Sequence, residues 1–116
     1  MYNNNEIKLD LYHILETKNV KKPTGERPSE GDIIFNYICQ ILDSKEYSSI
    51  RIDLSSLPNF TSAFLNNAIG KLFIKYNHED LFKILKIEGV TNSFDFKLIR
   101  ETIKNAINFS INNNPV

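Results

Sequence analysis

Hydrophobic and polar residues alternate in three short stretches of this chain and recur at helical spacing in three longer ones. From Glu6 to Tyr12, Ile7, Leu9 and Leu11 oppose Lys8, Asp10 and Tyr12, which predicts a strand. From Ile50 to Leu54, three apolar residues alternate with Arg51 and Asp53, predicting a second strand. From Lys83 to Val90, Leu85 and Ile87 oppose Ile84, Lys86 and Glu88, predicting a third. The first helix is expected after Ser29-x-x-Asp32, which reads as a capping box. Its apolar face is Ile34, Phe35, Ile38, Ile41 and Leu42, and it ends near Ser44. Pro58 breaks the chain after the second strand. A double stripe then follows at Phe64, Leu65, Ala68, Ile69, Leu72 and Phe73, in a helix reaching about Asn77. Asn92-x-x-Asp95 can cap a last helix with Leu98, Ile99, Thr102, Ile103, Ala106 and Ile107 on one side. The ordered core is expected over about residues 6–109, with Asn112–Val116 frayed.

Each predicted strand carries a cation and an anion two residues apart on its less apolar face: Lys8 with Asp10, Arg51 with Asp53, Lys86 with Glu88. A parallel sheet covered on both faces would read as continuous Val, Ile and Leu. These strands do not. The expected fold is therefore α/β, a small mixed sheet of about four strands, with three main helices mostly on one face. The charged face is expected to be solvated and laced by cross-strand ion pairs, with docking of a partner or a second copy as the alternative.

Length and charge narrow the function classes. The 116 residues suit one domain, expected over 1–116, and 41% hydrophobic content is ordinary for a globule. Fourteen basic and fourteen acidic residues give no net charge, which removes the electrostatic footprint of a nucleic-acid binder. No apolar run reaches the roughly 18–20 residues of a membrane span. The start, MYNNNEIKLD, lacks the basic and apolar regions of a signal peptide. One cysteine allows no internal disulfide, so a cytoplasmic location is expected.

The junction DLSSLPNFTSAFLNNAIG, from Asp53 to Gly70, resembles the STAS-like domains, relatives of bacterial anti-sigma-factor antagonists. In those proteins a segment D-L-S-G-x-x-x-x-D-S-S-G-L leaves a strand and enters a helix. Asp53, Leu54 and Ser55 match its start, Thr61 and Ser62 fall on its D-S, and Leu65 on its final Leu. A closer resemblance is to small bacterial STAS-like proteins of unknown function, whose junction reads S-F-L-x-E-A-F-G. Ala63 to Gly70 fill that pattern, while Gly25, Arg27 and Gly31 fit their upstream glycine-arginine positions. Ala63 stands where the phosphorylated serine of the antagonists falls, and Asn67 where an acidic residue falls. A phosphoswitch would have to move to Thr61 or Ser62; otherwise one of them simply caps the helix.

Other chemistries find weak support. Cys39 with His13 would need an exposed thiolate, but Cys39 shares the apolar side of its helix with Phe35 and Leu42. His78, Glu79 and Asp80 read as a solvated turn rather than a metal site. Gly25 to Gly31 lacks the Lys-Ser/Thr of a phosphate loop, and Glu26, Glu30 and Asp32 would repel an anion, so it reads as a structured connector. Lys97, Arg100 and Lys104 are expected to form a solvated face opposite the apolar stripe of the last helix. Asn59, Thr61, Ser62, Asn66, Asn67 and Lys71 remain, a polar group at the start and exposed side of the middle helix, with no general base among them.

The expectation is a non-enzymatic regulatory protein–protein interaction module with no cofactor. The resemblance implies an ATP-binding, kinase-like or anti-sigma-type partner, docking on the Asn59–Lys71 face. Nucleic acid and membrane are not expected as partners, and a homodimer stays open. One alternative is a small-molecule or nucleotide site at the Ser55–Ser62 loop. A weaker one is an inhibitor that mimics an interaction domain.

Overall fold

The computed structural model describes residues 5–113. Strand β1 (Glu6–Asp10) leads directly into helix α1 (Leu11–Thr17). Helix α2 (Pro28–Ser44) precedes β2 (Ser49–Asp53). The segments Ser62–Leu65, Asn66–Gly70 and Lys71–Lys75 run on as one helix, α3, whose middle segment is a π turn. Helix α4 (His78–Ile84), β3 (Leu85–Glu88) and helix α5 (Ser93–Asn113) complete the fold. The predicted fraying of the last residues meets a helix that continues to Asn113; residues 114–116, like 1–4, lie outside the described part.

The sheet has three strands in the order β1-β2-β3, all parallel. The expectation of a mixed sheet with about four strands and three helices is thus corrected, among the described residues, to three parallel strands and five helices. Successive strands are separated by helical crossovers, which return the chain to run in the same direction. Two predicted strands were also too long. The Asp10 carboxylate accepts the His13 N–H at 3.1 Å, so Leu11 and Tyr12 begin a helix. Lys83 and Ile84 close α4. His78, Glu79 and Asp80, expected in a solvated turn, form the first turn of α4 under the Asn77 cap, whose Oδ1 accepts the Asp80 N–H at 3.1 Å.

Register turns the alternation into rows. Ile7, Ile50 and Leu85 lie side by side, as do Leu9, Ile52 and Ile87. Leu9, Ile50 and Ile52 are buried in one core with Ile34 and Ile38 of α2 and the whole double stripe of α3. The opposite face carries a row of cations, Lys8, Arg51 and Lys86, and beside it a row of anions, Asp10, Asp53 and Glu88. Straight neighbours share a sign, so the ion pairs run diagonally: Arg51 Nε to Glu88 Oε1 at 2.9 Å, Arg51 Nη1 to Glu6 Oε1 at 3.3 Å and Lys8 Nζ to Asp53 Oδ2 at 3.8 Å.

Candidate functional site

The first turns of α2 and α3 meet along a polar seam. Helix α2 begins two residues earlier than the sequence pattern predicted, with Arg27 rather than Ser29 at the N-cap. Pro28 occupies its first turn, where a missing N–H costs nothing. The acid that organises its start is therefore Glu30, not Asp32, which corrects the Ser29–Asp32 box. Glu30 is 1% exposed. Its Oε1 accepts from the Thr24 hydroxyl at 2.9 Å, the Gly25 N–H at 3.0 Å and the Arg27 N–H at 3.3 Å. Its Oε2 accepts the Thr24 N–H at 3.0 Å. Burial alone would push this carboxyl up, but the donors from Thr24, Arg27 and Gly25 together outweigh it and hold the acid below its usual 4.5. Of the expected Gly25–Gly31 connector, only the part up to Arg27 is loop, wrapped with Thr24 around one buried carboxylate; Pro28–Gly31 form the first turn of α2.

That connector is sewn to the junction after β2. The Thr61 N–H donates to the Gly25 carbonyl at 3.1 Å, and the Thr61 hydroxyl donates to the Glu26 carbonyl at 3.0 Å. The same hydroxyl oxygen accepts the Phe64 N–H at 3.2 Å, so Thr61 is the N-cap of α3. Asn59 Nδ2 donates to Glu26 Oε1, and Asn67 Nδ2 to the Pro28 carbonyl, each at 3.2 Å. Lys71 Nζ lies 2.8 Å from Asp32 Oδ1. Gly31 sits under α3, where a Cβ would meet the Phe64 carbonyl oxygen at 2.6 Å.

The six residues predicted as a recognition surface are thus brought together but divided in role. Asn59 and Thr61 bind the connector before α2, and Asn67 and Lys71 bind the start of α2 itself. Ser62 and Asn66 are exposed on the outer side, and Ala63 is exposed between them. The π turn begins at Asn66. The loop before them is also committed. The Ser55 hydroxyl and N–H both donate to Asp53 Oδ1, at 2.6 and 2.9 Å, and Ser56 Oγ accepts the Tyr12 N–H at 3.3 Å. The Ser55 hydroxyl and amide, helped by Lys8 and opposed by burial, lower the Asp53 carboxyl below its usual 3.8.

A family model described as a STAS-like domain of unknown function (DUF4325) matches residues 31–95, more than half of the chain. The chain belongs to this STAS-like family. Comparison with curated proteins and with solved structures returned no match. The matched span holds β2, α3, α4 and β3 and begins at Gly31, immediately after Glu30.

Other candidates fall into place around this STAS-like core. Cys39 is 7% exposed, a buried thiol as expected, while His13 is exposed on α1. Among the described residues no three His, Cys, Asp or Glu side chains group to hold a metal ion, and no helix is long and apolar enough to cross a membrane. Tyr76 donates to Asp43 Oδ1 at 2.9 Å; burial, with Cys39 and Asp43 nearby, holds its phenol above the usual 10. Sequence reasoning missed Glu30 as the anchor, though the paired glycines and Pro28 marked the segment. It also missed the π turn, for which the sequence carries no separate signal.

Proposed function

We propose that this STAS-like domain is a non-enzymatic regulatory module that docks a protein partner on the exposed start of α3. The observation that carries the reading is the division of labour within the seam. Four polar side chains are spent fixing the helix start, and Ser62, Ala63 and Asn66 stand outside on that fixed base. A rigid, small-residue polar patch lets a partner approach closely at little ordering cost. By family analogy the partner is an ATP-binding, kinase-like protein of the anti-sigma type.

The seam supports Ser62 over Thr61 as the position of a phosphoswitch. A phosphoryl group on Thr61 would displace the hydrogen bonds to Glu26 and Phe64. One on exposed Ser62 would break neither and would place about two negative charges on the docking patch. The loop from Ser55 favours docking over a small-molecule crevice, because its serines, Asn59 and Thr61 already bond within the protein.

The test is affinity capture from the native cells with mass spectrometry of partners and phosphosites. A kinase-like or ATPase partner lost with Ser62→Arg and with Asn66→Arg, while Lys97→Ala retains it, supports the reading. Capture indifferent to both substitutions defeats it.

A further inference from the structure

A trough runs along α5 beside α4. Phe82 and Phe96 form its lips, 57% and 60% exposed, and Ile99, Ile103 and Ile107 form its floor. Its volume is about 490 Å³. The apolar residues recur every three or four positions from Phe96 to Ile107, so the line follows the helix for about three turns, roughly 16 Å. Arg100 and Lys104 border the trough, and Lys97 joins Arg100 and Phe96 in an adjoining hollow. This corrects the expectation that these cations stand opposite the apolar stripe: Arg100 and Lys104 flank its open part. Among the described residues no carboxylate lines either hollow, and the ion pairs involve none of the three cations.

We infer that this trough is a docking groove for an acidic amphipathic helix of a protein partner. An apolar floor of this length takes the i, i+3 or i+4, i+7 anchors of a helix laid in a groove. The unpaired cations along its edge call for Asp and Glu beside those anchors, in the pattern that complementary charge requires. A second copy of the chain fits poorly. A two-fold axis through the trough would set Arg100 and Lys104 against their own counterparts, with no carboxylate in the groove to receive them. An anionic bilayer fits less well, because Ile99 is buried and Ile103 and Ile107 are only partly exposed between the two phenylalanines. The groove is separate from the Ser62 patch, and neither proposal rests on the other.

The experiment is selection of displayed helical peptides against the full chain, followed by titration of the selected peptides by fluorescence anisotropy. The expected winners carry apolar residues at helical spacing with acidic residues between them, and bind less tightly as salt rises. Their affinity falls about tenfold or more with Phe96→Ser and with Arg100→Glu/Lys104→Glu, and is unchanged with Ser62→Arg. These are surface positions, and circular dichroism verifies each fold. Selection of basic peptides, selection of none, or equal binding to all variants overturns the proposal. Binding to phosphatidylserine vesicles without acidic-peptide binding overturns it in favour of a membrane. A dimer by sedimentation that Phe96→Ser dissolves overturns it in favour of a second copy.

Discussion

A Cβ placed on Gly25 would lie 1.9 Å from the carbonyl oxygen of Asn59. Gly25 also has φ +81°, a backbone state that other residues adopt only under strain. The connector before α2 therefore touches the junction before α3 backbone to backbone. Gly25→Ala is expected to destabilise the fold by about 2–4 kcal/mol, combining conformational cost with the clash. Urea unfolding measures it, and a loss well under 1 kcal/mol would mean that the two loops do not hold this approach in solution.

Glu30 makes stability depend on acid. Its folded carboxyl binds protons less readily than the same group in the unfolded chain, so its contribution is fully present above the usual 4.5. It declines as the pH falls from there through the lower folded value. Glu30→Gln leaves an amide N–H facing donors and is expected to cost about 1–3 kcal/mol near neutrality. The variant should also lose less stability between neutral pH and the acid range than the parent. Unfolding curves across that range test both points, and parallel pH profiles would contradict the role of Glu30.

Thr61 and Ser62 are adjacent but should respond differently. Thr61→Ala removes the α3 cap and the bond to Glu26, with an expected cost of about 1–2 kcal/mol. Ser62→Ala should stay within about 0.5 kcal/mol, since its side chain is exposed. Equal costs in thermal melts would remove the separation between anchoring and outward residues on which the docking reading stands.

Arg51 lies in the middle of the cation row. Arg51→Ala should change stability by less than about 1 kcal/mol, because half-exposed pairs are weak and its loss also relieves Lys8 and Lys86. Arg51→Glu faces Glu6 and Glu88 and should cost more at low salt than at high salt. A salt-independent loss would show that Arg51 contributes by packing instead of charge.

Much of the fold was legible because period-two alternation translates directly into sheet rows. The apolar rows through Ile50 and Ile52 and the charged rows through Arg51 and Asp53 lie where the pattern put them. The α3 stripe and the Asn92 cap were equally readable; Asn92 Oδ1 accepts the Asp95 N–H at 2.8 Å. Strand ends were less so, since Leu11 continues the alternation and only the Asp10 side chain tips it into a helix. Asn59, Asn67 and Lys71 were found as polar and near α3, but their bonds to Glu26, Pro28 and Asp32 join residues more than thirty positions apart. Such pairings carry no local pattern, and Glu30 looked like a surface acid for the same reason.

The parallel sheet has a consequence for how the chain reaches this structure. None of its strands can zip to another through a tight turn. Leu85 pairs with Ile50, 35 residues back, and Ile50 with Ile7, 43 residues back. Each pairing must close a large loop before any ladder bond rewards it, so the sheet is expected to assemble after the helices. Until then Ile7, Ile50 and Leu85 remain uncovered on separate segments. That interval, more than the finished surface, is when this molecule is most open to aggregation.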